Sequence, residues 1–183
     1  MVQINVSQQL KASIGEVRDY EVEGTVNIDN CDVMAQGTLR LLRTDRGILA
    51  KGNIHADIEL TCGRCLIPFN HHLALNIEEE YFPTTDINTG TAIPLPEEPG
   101  AFTIDEHNIL DLSEAIRQYA LMAIPMKPLC RQDCAGLCPT CGTNLNQTPC
   151  TCPPQTADPR WEGLRKLTQA YVENSADKEK GIK

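Results

Sequence analysis

The sequence predicts an α+β protein: an antiparallel strand-rich meander or partly open barrel, followed by a helix, a cysteine-rich zinc-binding segment and a C-terminal helix. Three observations carry that expectation. Long runs in the first half alternate apolar and polar residues with the period of a strand. The helix-start signals fall in the second half. Eight of the nine cysteines sit in close pairs, six of them within LCRQDCAGLCPTCGTNLNQTPCTC from Leu129 to Cys152.

The strands come first. Ile48, Ala50, Gly52, Ile54, Ala56, Ile58 and Leu60 alternate with Leu49, Lys51, Asn53, His55, Asp57 and Glu59, which describes a strand with one dry face. Tyr20, Val22, Gly24, Val26 and Ile28 repeat the pattern, as do Val33, Ala35, Gly37, Leu39 and Leu41, and then Phe69, His71, Leu73, Leu75 and Ile77. Thr44-Asp45-Arg46-Gly47 reads as a hairpin turn. Long strands with internal glycines imply strong coiling. On this reading Cys62–Cys65 lies at the tip of a hairpin. Residues 84–100, TTDINTGTAIPLPEEPG, read as a loop with little fixed structure.

The helices follow. Asp111-Leu112-Ser113-Glu114 reads as a capping box that opens a helix to about Ala123, and Pro125 and Pro128 end it. Asp158-Pro159 reads as an N-cap with proline at the first helical position. Trp161, Leu164, Leu167 and Tyr171 then share one face, expected to pack in the core, and the charged tail from Asn174 is expected to fray. The organisation expected is a β region over 1–112, with a CxxC hairpin and an acidic loop. Residues 113–183 would form a helical, metal-binding part stapled to it as one domain.

The start MVQINVSQQL lacks a basic stretch followed by an apolar run, and no apolar stretch is long enough to span a bilayer. The expectation is a cytoplasmic protein, where clustered cysteines serve metal or redox chemistry rather than disulfides. Cys138-Pro-Thr-Cys141-Gly142 has the form of a zinc knuckle: two intervening residues aim both sulfurs at one point, and Gly142 supplies left-handed backbone. Cys150-Thr-Cys152 adds a second pair. Cys130 and Cys134 form a third, and Cys62-Gly-Arg-Cys65 a fourth. The partition preferred is two zinc ions, one on Cys62, Cys65, Cys130 and Cys134, the other on Cys138, Cys141, Cys150 and Cys152. Cys130, Cys134, Cys138 and Cys141 form an alternative set, and an iron–sulfur cluster would also take four cysteines. A redox-active CxxC would want a βαβ setting, which Cys62–Cys65 lacks. Cys31 is expected to be a small half-buried hydrophobe.

Charge is the second informative feature. The net charge of −9 sits in one segment: Leu66–Leu112 holds nine acidic residues and no Lys or Arg, and elsewhere the two signs balance. Such a segment opposes non-specific nucleic-acid binding and suits a basic protein partner. Glu78, Glu79 and Glu80 are its sharpest cluster. Arg40, Arg43, Arg46 and Lys51 form the candidate basic patch, suited to any RNA contact. No catalytic set emerges. His71 and His72 adjoin in a strand and point to opposite faces, and no P-loop, G-x-S-x-G or H-E-x-x-H occurs. Four thiolates close a zinc site, whereas a catalytic zinc keeps a position open. The residues alone describe a non-enzymatic interaction protein with structural zinc, no membrane and no small-molecule substrate. The competing class is a thiol-based redox or metal-handling protein.

CRQDCAGLCPTCGTNLN, followed by CTC and DPRWEGLRKL, resembles the C-terminal signature of the YceD family, the large ribosomal RNA accumulation proteins. LTCGRCLIPF resembles that family's mid-chain cysteine motif. Together they cover most of Thr61–Leu167, while the first sixty residues match only in being strand-rich. The resemblance implies a role in accumulating large-subunit (23S) ribosomal RNA, with a large-subunit ribosomal protein or precursor rRNA as partner. It also implies a bacterial cytoplasm.

Overall fold

Seven strands form one sheet: β1 (Gln3–Asn5), β2 (Val17–Ile28), β3 (Cys31–Arg43), β4 (Ile48–Thr61), β5 (Pro68–Pro83), β6 (Phe102–Ile104) and β7 (Ile109–Asp111). Among the described residues they are accompanied by the helices α1 (Ser7–Leu10) and α2 (Ser113–Ala123). The computed structural model describes residues 1–95, 100–153, 159–161 and 164. Contacts divide the chain into two compact units, Met1–Leu137 and Cys138–Lys183, and the sheet belongs to the first.

The sheet is a strand-rich half-barrel with order β1-β7-β6-β5-β4-β3-β2. The four long strands are the four alternations of the sequence, joined as an antiparallel meander. Their dry faces make the core, with Val22, Val26, Leu39, Leu41, Ile54, Leu73, Leu75 and Ile77 all buried. Ile116 and Ala120 of α2 join that core, so the helix fills the concave side against β5 and β2. Asp29 and Asn30 form the two-residue turn between β2 and β3. Both have positive φ (49° and 65°), which Asp and Asn tolerate and which matches strand twist in a hairpin.

Glycines on the dry face permit the coiling. A Cβ on Gly37 would collide with Asn53 O, and one on Gly52 with Thr38 O. The backbones of β3 and β4 approach so closely there that neither position holds a side chain.

Several expectations are corrected. Residues 84–95 are ordered rather than structureless: Asp86 N donates to Thr91 O, Ile93 N to Thr84 O, and Asp86 Oδ1 accepts from Asn88 N and Thr89 N. β6 then pairs parallel to β5 after that excursion. The capping box does not form. Ser113 Oγ accepts instead from Val2 N at 3.0 Å, Asp111 Oδ1 takes the Ser113 amide at 2.8 Å, and Glu114 pairs with Arg117 at 2.6 Å. The helix still spans the expected residues. Cys31, at the start of β3, is exposed rather than half-buried. Most of the expected C-terminal helix lies outside the described residues. Pro159–Trp161 form a 3-10 turn, and Trp161 and Leu164 are 60% and 54% exposed, against the expected core packing.

Candidate metal centres

The hairpin between β4 and β5 carries the first centre. Cys62 N donates to Ile67 O at 3.0 Å, and Leu66 N donates to Cys62 O at 3.0 Å, closing a tight turn that places Cys62 and Cys65 side by side. The segment after α2 wraps onto this turn. Gly63 N donates to Pro128 O at 2.8 Å, Leu137 N to Arg64 O at 3.2 Å, and Arg64 Nη1 to Cys134 O at 2.9 Å. Gly136 has φ +76° and packs against Arg64, where a Cβ would lie 3.1 Å from the Arg64 carbonyl. These contacts carry Cys130 and Cys134 to Cys62 and Cys65.

The sulfurs of Cys62, Cys65, Cys130 and Cys134 all lie within 4.8 Å of one another. Cys62 Sγ is 3.9 Å from Cys134 Sγ, and Cys65 Sγ is 3.7 Å from Cys130 Sγ. A tetrahedral zinc with Zn–S of about 2.3 Å separates its sulfurs by about 3.8 Å, so these spacings fit such an ion. Phe69 and Leu129 pack on the buried Cys62, Cys65 and Cys134 and shield them from water.

The second centre lies within Cys138–Lys183. Its knuckle repeats the first turn: Cys138 N donates to Thr143 O at 2.8 Å and Gly142 N to Cys138 O at 2.9 Å. Asn144 Oδ1 then accepts the Asn146 amide at 2.9 Å and turns the chain back toward Cys150 and Cys152. The sulfurs of Cys138, Cys141, Cys150 and Cys152 again lie within 4.8 Å of one another. Of the four only Cys138 is buried.

Each cluster is electrostatically polarised. Amides of Cys130 and Cys65 point at Cys62 and bring its thiol down to about 6, while burial and the neighbouring thiols push Cys130 up to about 12. In the second cluster the Cys141 and Thr140 amides bring Cys138 down to about 6, and the hydrogen bond with Cys141, followed by burial, pushes Cys152 up to about 12. The first cluster thus favours the Cys62 thiolate and the second those of Cys138 and Cys141, while ionisation of Cys65, Cys130, Cys150 and Cys152 is opposed. A divalent cation removes that opposition, which is the chemistry a metal supplies to such a cluster.

The charged candidates are arranged differently. Lys51 pairs with Glu78 at 2.8 Å and Arg46 with Glu80 at 3.2 Å, while Tyr119 OH donates to Glu79 at 3.0 Å. Arg40 pairs with Asp19 at 2.7 Å, and Arg43 Nη1 donates to the Thr44 and Gly47 carbonyls. Two of the four cations, Arg46 and Lys51, are therefore taken up by the acidic run, whereas Arg40 and Arg43 are held by Asp19 and by backbone carbonyls. His71 and His72 do point to opposite faces. Sequence reasoning missed that His72 meets Asp57 at 2.9 Å and stacks on His55 at 5.2 Å. The strand register places Asp57 opposite His72, and that register is the signal that finds the group.

Fold and sites together define a class: a strand-rich protein with two cysteine clusters, each able to hold a metal ion. Residues 50–168 match the family described as large ribosomal RNA subunit accumulation protein YceD, and the chain belongs to that family. An uncharacterized protein of Mycobacterium tuberculosis is 32% identical over 130 residues, covering 70% of this chain and 59% of that protein. An uncharacterized protein of Mycobacterium leprae is 26% identical over 140 residues, covering 76% and 61%. The chain thus spans about three-fifths of the length of these relatives. A maize (Zea mays) protein named large ribosomal RNA subunit accumulation protein YCED homolog 1, chloroplastic, is 45% identical over 63 residues, covering 34% of this chain and 20% of that protein. No solved structure matches. Among the described residues no helix is long and apolar enough to cross a membrane.

Proposed function

We propose that the chain is a non-enzymatic, cytoplasmic factor of large ribosomal subunit biogenesis. It supports accumulation of 23S rRNA by holding a ribosomal protein or precursor RNA, and two structural zinc ions fasten the parts that do so. The family match carries the process. The paired knuckles carry the structural role of the metal: four thiolates per cluster fill a tetrahedral shell and leave no position for substrate. A structural zinc is worth about 10–16 kcal/mol in small modules, so each cluster would dominate the stability of its own surroundings.

The test is depletion of the protein in its own cells, with the ratio of 23S to 16S rRNA as readout. The ratio should fall, the wild-type chain should restore it, and Cys62→Ser or Cys138→Ser should restore it poorly. An unchanged ratio on depletion contradicts the reading. Full rescue by both serine variants contradicts the role given to the metal.

A further inference from the structure

We propose that the open edge of β2 accepts an extended, Lys/Arg-rich segment of a partner protein as an added strand. β2 ends the sheet order, so one side of it faces no strand among the described residues, and Met1 and Val2 lie against it, at Gly24 and Thr25. The two-residue turn at Asp29-Asn30 makes Ile28 and Cys31 a hydrogen-bonded pair. Alternate residues counted back from there, Asn27, Thr25, Glu23, Glu21 and Asp19, therefore turn their N–H and C=O groups to the open side. The Met1 amino group confirms the phase by donating to Thr25 O at 2.7 Å. At Asp19, Glu21 and Glu23 no described group takes the edge-facing amides and carbonyls.

Sheet edges are ordinarily guarded by proline, charged side chains, a bulge or a covering segment. β2, VRDYEVEGTVNI, contains no proline or lysine, and its pairing with β3 runs from Val17↔Leu42 to Ile28↔Cys31 without a bulge; its guards are the carboxylates of Asp19, Glu21 and Glu23, which oppose an anionic or neutral strand and admit a cationic one. The side chains beside this edge select the partner. Asp19, Glu21 and Glu23 share the exposed face. Asp19 is engaged by Arg40, but Glu21 and Glu23 have no ion pair among the described residues. They line an open groove of about 580 Å³ together with Gln36, Thr38 and His55. A strand laid along β2 gains backbone hydrogen bonds at the edge, and its alternate side chains reach the groove, where two free carboxylates favour Lys or Arg. A nucleic-acid backbone would be repelled by the same carboxylates. The inference deepens the function proposed above by naming its partner's chemistry.

A fluorescein-labelled alternating Lys–Val octapeptide, titrated with the intact metal-loaded chain, tests it by anisotropy and by amide hydrogen exchange. Saturable binding is expected, with new protection at the amides of Asp19, Glu21 and Glu23. A Glu–Val octapeptide should bind at least about tenfold more weakly, and Glu21→Lys/Glu23→Lys should weaken the Lys–Val peptide by about tenfold or more at low salt. Glu23→Pro removes an edge-facing N–H together with the Glu23 carboxylate and should also abolish the protection. Exchange at Leu39 and Leu41 reports whether each variant is folded, and the charge reversal decides alone if the proline variant is not. Absence of binding, equal binding of the two peptides, indifference to the charge reversal, or β2 protection by a single-stranded RNA instead would overturn the inference. None of these outcomes touches the rRNA ratio, so the edge and the biogenesis role stand or fall separately.

Discussion

Leu66 and Gly142 occupy the same place in two copies of one turn, directly after the second cysteine of a knuckle, with φ of +57° and +74°. The left-handed region is free to glycine and costs a branched residue about 1–2 kcal/mol. Leu66 is 62% exposed, so burial of its side chain offsets little of that strain. Leu66→Gly should therefore raise the stability of the metal-loaded protein by roughly 0.5–1 kcal/mol, after the greater chain entropy of glycine. Gly142→Ala should lower it by about 1 kcal/mol. Denaturant midpoints at fixed slope check both, and a loss of stability in Leu66→Gly would mean that the side chain has a structural partner. The spacing of the cysteines made the two groups of four legible in the sequence, since CxxC fixes the turns at Cys62–Cys65 and Cys138–Cys141 and the remaining close pairs complete each group; that they ligate metal is the proposal tested below. The conformation of Leu66 was not legible: the hydrogen bonds of the knuckle impose it against the preference of the residue. The ion pairs of Glu78, Glu80, Arg46 and Lys51 were hidden for another reason. Each charge was read along the chain, whereas register sets its neighbours across the sheet.

At the level of elements, period-two alternation disclosed the four long strands because each keeps one dry face for nine residues or more. The strands β1, β6 and β7 have three residues each, too few for a period to show. The parallel pairing of β6 with β5 depends on a long excursion that no local signal announces. Gly52 offers the sharpest test of the coiled sheet. Its added methyl in Gly52→Ala would meet the Thr38 carbonyl, a backbone atom that moves only with the strand, so the substitution should cost about 2–3 kcal/mol. Gly63→Ala places its methyl at an ordinary 3.5 Å from Pro128 O and should change stability by less than about 0.5 kcal/mol. Thermal or urea unfolding compares the two. Equal effects would mean that β3 and β4 separate easily at that point.

At the level of the molecule, the two clusters differ in exposure. In the first only Cys130 is exposed and Cys62, Cys65 and Cys134 are buried, whereas in the second only Cys138 is buried, with Cys141 exposed and Cys150 and Cys152 half-buried. A chelator that waits for a ligand to detach should strip the cluster of Cys138, Cys141, Cys150 and Cys152 first. Zinc release to a colorimetric chelator should then be biphasic, with equal amplitudes. A single phase carrying both ions would contradict that order. Low pH should act in the same direction as chelator, since protons compete for the thiolates and metal affinity falls with acidification. The account rests on two separate four-thiolate centres, and one experiment addresses them most directly: metal content combined with alkylation mapping of the wild type and Cys62→Ser. Two zinc ions per wild-type chain are expected. In Cys62→Ser one zinc should remain, Cys130 and Cys134 should become open to alkylation, and Cys138 and Cys141 should stay protected. One zinc in the wild type, iron in its place, or Cys130 and Cys134 still protected in Cys62→Ser would contradict the partition.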